Sequence, residues 1–87
     1  MTPDVVKVKP SSDYGLIVEF KNGEVRRFSM LPYLNYPAYR PLKDLSLFMK
    51  AHMENGTVAW TEDIDVSPDT LYIEGFPYGL TPAKQGR

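Results

Sequence analysis

A chain of 87 residues with no cysteine has room for one core and excludes disulfides, thiolate metal ligands and a thiol nucleophile. Its net charge of −1 is not the basic footprint of a dedicated nucleic-acid binder, although residues 1–50 carry eight Lys/Arg against five Asp/Glu and residues 51–87 carry two against six. No apolar run is long enough to span a bilayer, and the opening Met-Thr-Pro-Asp lacks the basic start and apolar centre of a secretory signal, so the cytoplasm is the expected location.

Val5, Val6 and Val8 make residues 5–9 a β-branched strand, ended by the turn chemistry of Pro10-Ser11-Ser12-Asp13. From Tyr14 a second strand places Tyr14, Leu16, Val18 and Phe20 on one side and Gly15, Ile17 and Glu19 on the other. Asn22-Gly23 follows. This dipeptide tolerates the two positive φ angles of a type I′ turn and so predicts a hairpin pairing Lys21 with Glu24, Phe20 with Val25, Glu19 with Arg26 and Ile17 with Phe28. Arg27 is the misfit in that register, because it shares a face with Val18; a bulge or an open sheet end would account for it.

Prolines at 32, 37 and 41 and tyrosines at 33, 36 and 39 mark residues 30–41 as a segment without regular structure longer than one turn. One helical turn is expected over Leu42-Lys43-Asp44-Leu45. Asn55-Gly56 then closes a second hairpin, pairing Glu54 with Thr57, Met53 with Val58, His52 with Ala59 and Ala51 with Trp60. That register sorts Ala51, Met53, Val58 and Trp60 to one face and mainly polar residues to the other, so the local turn signal and the long-range pattern agree. An acidic connection, Glu62-Asp63-Ile64-Asp65, leads to a helix start in which Ser67 caps, Pro68 takes the first helical position, and Leu71 and Tyr72 pack. The expected product is a single α+β domain over residues 1–75, an antiparallel meander of about five strands with one or two short helices, followed by a Gly/Pro-containing flexible tail, 76–87.

Phe20-Lys-Asn-Gly-Glu, Leu42-Lys-Asp-Leu to Phe48, Asn55-Gly56-Thr-Val-Ala-Trp60 and Asp65-Val-Ser-Pro-Asp69-Thr-Leu-Tyr72, in this order, resemble domain-of-unknown-function family 2442 over residues 5–73. The resemblance implies a small bacterial domain of strands around one or two short helices with no established activity. It also implies relatives fused to a helix-turn-helix module or paired with neighbours in toxin–antitoxin-like arrangements. After Tyr72 this chain has too few residues for such a module, so a transcriptional role would need a separate partner.

Several patterns compete for a functional reading. Asp63, Asp65, Ser67, Asp69 and Glu74 occupy positions 1, 3, 5, 7 and 12 of a calcium loop, but Pro68 stands where that loop needs glycine; a capped helix start with solvated carboxylates is the simpler reading. His52, the single histidine, falls on the polar hairpin face with Glu54 as its one nearby carboxylate. Serines 11, 12, 29, 46 and 67 lie at turns, strand ends or a cap, outside any nucleophile-elbow pattern, and no Gly-rich phosphate loop is present. Tyr33, Tyr36 and Tyr39 recur every third residue between prolines, as in an extended polyproline-type strip with its rings on one side. They either cover an open face of the sheet or meet a partner.

The expected function is therefore a non-catalytic interaction or regulatory module, with no cofactor and no metal, acting through a protein partner or homo-oligomer, with Tyr33, Tyr36 and Tyr39 as the candidate contact residues. Two other classes stand beside it. One is weak nucleic-acid binding through Lys7, Lys9, Arg26, Arg27, Arg40 and Lys43; the other is a metal-dependent enzyme using the acidic segment 62–69 with His52.

Overall fold

The computed structural model describes residues 2–78. Within them the chain forms strands β1 (Val5–Pro10), β2 (Gly15–Phe20) and β3 (Val25–Ser29), then two 3-10 segments, Leu31–Tyr33 and Pro37–Lys43, and helix α1 (Leu45–Phe48). Strands β4 (His52–Glu54), β5 (Thr57–Thr61) and β6 (Ile64–Val66), helix α2 (Pro68–Glu74) and the short strand β7 (Phe76–Pro77) complete it. The architecture is α+β and antiparallel, as the sequence implies. It is not one five-stranded meander, however: the strands divide into a sheet of order β1-β2-β3-β7 and another of order β4-β5-β6. The division falls at the proline-rich segment, whose residues cannot all donate to a ladder and so carry the chain off the first sheet before it pairs again.

The two Asn-Gly turns are not alike. At the second, Asn55 (φ 53°) and Gly56 (φ 82°) are both left-handed, and His52↔Ala59, Met53↔Val58 and Glu54↔Thr57 pair as the type I′ turn dictates. At the first, Gly23 (φ 90°) is left-handed and Asn22 is not. Gly23 N–H donates to the Phe20 carbonyl and Phe20 N–H to the Glu24 carbonyl, the pattern of a three-residue loop closed by a glycine bulge. The expected register is corrected by one residue, to Glu19↔Val25, Val18↔Arg26, Ile17↔Arg27 and Leu16↔Phe28. This resolves the misfit of Arg27, which now lies beside half-buried Ile17 and away from Val18 in the core.

One hydrophobic cluster draws on both sheets. Leu16, Val18 and Phe20 of β2 and Phe28 of β3 share it with Val58 and Trp60 of β5, Phe48 of α1 and Leu71 of α2. The Trp60 indole N–H donates to the Phe48 carbonyl at 2.9 Å, so the largest side chain in the cluster is also satisfied. Of the expected helix at 42–45, Leu42 and Lys43 complete the second 3-10 segment, and the α-helical turn starts at Leu45 with Asp44 as its cap, the Asp44 carboxylate accepting from Ser46 N–H at 3.0 Å. Ser67 caps α2 by accepting from Thr70 N–H at 3.2 Å, with Pro68 in the first turn as expected. The acidic connection holds a strand the sequence reading passed over, β6, with Ile64 and Val66 buried on either side of exposed Asp65. The expected tail is also shortened at its start: Phe76 and Pro77 pair with Arg27 and Arg26, and Tyr78 N–H donates to the Val25 carbonyl at 2.9 Å. The rest of that expectation, residues 79–87, lies outside the described residues.

Candidate functional site

The tyrosine segment takes a different form from the extended strip read from its spacing. A period of three suits a polyproline helix and a 3-10 helix equally, since both have three residues per turn. Tyr36 alone is extended; Tyr33 ends one 3-10 segment and Tyr39 lies in the next. The three rings nevertheless gather. Tyr33 is the hub, stacked on buried Phe28 with centroids 5.3 Å apart. The Tyr36 and Tyr39 rings stand edge-on to it at 5.7 and 6.4 Å, with interplanar angles of 82° and 69°. Tyr39 is pinned by its hydroxyl, which donates to the Asp65 carbonyl of β6 at 3.0 Å. Tyr33 and Tyr39 pack on the core cluster, whereas Tyr36 is 55% exposed.

Helix α2 and β7 extend this face. Leu71 fills the core, so Ile73, two residues on, is carried to the far side of the helix and is 71% exposed; Phe76 is 74% exposed. Three adjoining hollows share Tyr33 as a wall. One of about 280 Å³ is lined by Met30, Tyr33, Tyr36, Tyr39, Val66 and Thr70. The second borders Asp69, Ile73 and Glu74, and the third borders Phe28, Glu74 and Phe76. Burial, then the Glu74 carboxylate and Tyr36, raise the Tyr33 phenol above the ordinary tyrosine range. Burial, then Asp65 and Tyr33, do the same at Tyr39. The face is thus aromatic and apolar with a negative surround.

The other singled-out residues lie elsewhere. His52 is exposed on β4, its Nε2 3.0 Å from Glu54 Oε1 and its Nδ1 3.1 Å from the Lys50 carbonyl. Lys50 and Glu54 together raise its pKa above 6.5. It borders a groove of about 420 Å³ lined also by Lys7, Lys9, Glu19 and the apolar side chains of Ile17, Val25 and Met53; Glu54 is the carboxylate hydrogen-bonded to the imidazole. Of the calcium-like series, Asp65 is on β6, Ser67 is a cap, Asp69 is in the first turn of α2 and Glu74 ends it; among the described residues no group of three His, Asp or Glu side chains is gathered to hold a metal. Two of the six basic residues are committed to carboxylates, Arg26 to Glu24 at 2.7 Å and Arg27 to Asp13 at 2.5 Å. No helix among the described residues is long and apolar enough to cross a membrane.

Ile73 and Phe76 were not singled out from the sequence. Ile73 carried a signal, an apolar residue on the side of α2 opposite Leu71; Phe76 read as part of a tail.

The sequence matches the family described as protein of unknown function (DUF2442) over residues 5–77, most of its length, and the chain belongs to that family. No curated protein and no solved structure matches it.

Proposed function

Taking that membership as the premise, we propose that the chain is a non-catalytic interaction or regulatory module that acts through a protein partner or a second copy, in the manner of one half of a toxin–antitoxin-like pair. The observation that carries this reading is the exposure of Tyr36, Ile73 and Phe76 around the fixed ring of Tyr33. Single exposed apolar residues are ordinary, but a cluster centred on ordered aromatics and rimmed by polar groups is the composition of a binding surface. Rigid rings lose little entropy on contact.

The test is co-purification from native extract together with solution mass, for the wild type and for a Tyr36→Ala/Ile73→Ser double variant. A specific partner or dimer present in the wild type and lost in the variant is expected. A strictly monomeric wild type that captures nothing would contradict the proposal.

A further inference from the structure

We propose that Tyr33, Tyr36 and Tyr39 form a receptor for one organic cation, the guanidinium or alkylammonium head of a side chain presented by a partner protein. The inference deepens the interaction reading above and rests on it.

Three properties of the 280 Å³ hollow point to this occupant. The first is wall geometry. An aromatic ring is negative over its face and positive at its edge; Tyr36 and Tyr39 stand at 82° and 69° to Tyr33, their centroids 5.7 and 6.4 Å from it, and all three rings line the hollow, where a ring attracts a cation over distances of about 6 Å. Buried Met30 and Val66 make part of the lining apolar, and a desolvated cation is held more strongly by rings than an exposed one.

The second property is charge. Asp69 and Glu74 line the two hollows that adjoin this one, and among the described residues no Lys or Arg lines any of the three. Glu74 and Asp65 already act on Tyr33 and Tyr39. A neutral apolar side chain would use the rings and gain nothing from these carboxylates, and an anion would be repelled.

The third is size. The volume falls just below the range of about 300–1,000 Å³ typical of sites for drug-sized ligands, so it suits one side-chain head rather than a cofactor. Tyr36, half-exposed, is the wall an entering side chain meets first.

The experiment follows the tyrosine ring protons by NMR while the full chain is titrated with four capped amino acids: arginine, trimethyllysine, and the uncharged controls citrulline and norleucine. Saturable shifts at Tyr33, Tyr36 and Tyr39 are expected with one or both cations, at an affinity about tenfold or more above the matched neutral control. Whichever of the two binds more tightly identifies the head group. Tyr36→Phe keeps the ring and should keep binding; Tyr36→Leu keeps apolar area but removes the π face and should lose most of it. Glu74→Gln, at an exposed position and so without folding risk, should weaken it several-fold. Equal binding of charged and neutral probes, cation shifts confined to residues around the exposed carboxylates of Glu54 and Glu62, or full binding by Tyr36→Leu would each overturn the inference. If no probe shifts these rings while partner capture still depends on Ile73, the cation receptor is excluded and the interaction surface stands.

Discussion

The guanidinium carbon of Arg26 lies 4.0 Å from the centroid of the Tyr72 ring, and its Nη1 donates to the Tyr72 carbonyl at 2.8 Å. One side chain of β3 thus grips both the ring and the backbone of α2, and Glu24, bound to Arg26 and to the Tyr72 hydroxyl, closes the circuit. Helix α2 is short and carries Ile73, so this contact helps hold that exposed residue against β3. Arg26→Ala is expected to cost about 1–3 kcal/mol, from a charge-assisted hydrogen bond and a cation–π contact, measurable by urea denaturation. Amide exchange should rise first in residues 70–77.

The Tyr72 hydroxyl and Arg26 also hold the Glu24 carboxyl below its ordinary pKa. A depressed carboxylate contributes stability above its unfolded value, and that contribution is lost as pH falls through the lower folded value. Glu24→Gln should therefore narrow the stability gap to wild type in acid and widen it at neutral pH, as read by thermal melts across pH 2–7.

His52 has the opposite sign. The Lys50 carbonyl and Glu54 favour its protonated ring and raise its pKa above 6.5, so its contribution is complete below the unfolded value and is lost as pH rises through the higher folded one. An NMR titration of the imidazole should give a midpoint above 6.5 in the wild type and a lower one in Glu54→Gln. A midpoint unmoved by that substitution would remove Glu54 from the account.

The two asparagines of the Asn-Gly turns should behave differently. Asn55 holds a left-handed φ that costs most residues about 1–2 kcal/mol, so Asn55→Ala should destabilise by about that amount. Asn22 is not left-handed; its side chain accepts from Glu24 N–H at 3.0 Å, an exposed bond worth about 0.5–1 kcal/mol. Asn22→Ala should cost correspondingly less in the same denaturation assay.

These contrasts mark what could be read in advance. The Asn55-Gly56 hairpin was legible because turn chemistry and face polarity gave one answer. At Asn22-Gly23 the same dipeptide fits a two-residue loop and a bulged three-residue loop, and only the awkward position of Arg27 separated them. The tyrosine period could not distinguish two conformations with the same number of residues per turn. Strands β6 and β7 are three and two residues long, too short for alternation to register, and although the prolines mark where the first sheet stops, nothing local decides whether the later strands rejoin it or form a sheet of their own. In the candidate site, the tyrosines announced themselves by spacing. Ile73 and Phe76 joined them only once α2 and β7 had been placed against β3.

The central claim is that binding occurs on the face around Tyr33. It is tested most directly by recording amide chemical shifts of the labelled chain as it is concentrated alone and as a co-purified partner is added. The account predicts that perturbations converge on residues 31–39 and 69–76. Perturbations centred on the groove of Lys7, Lys9 and His52, with residues 31–39 unmoved, would contradict it.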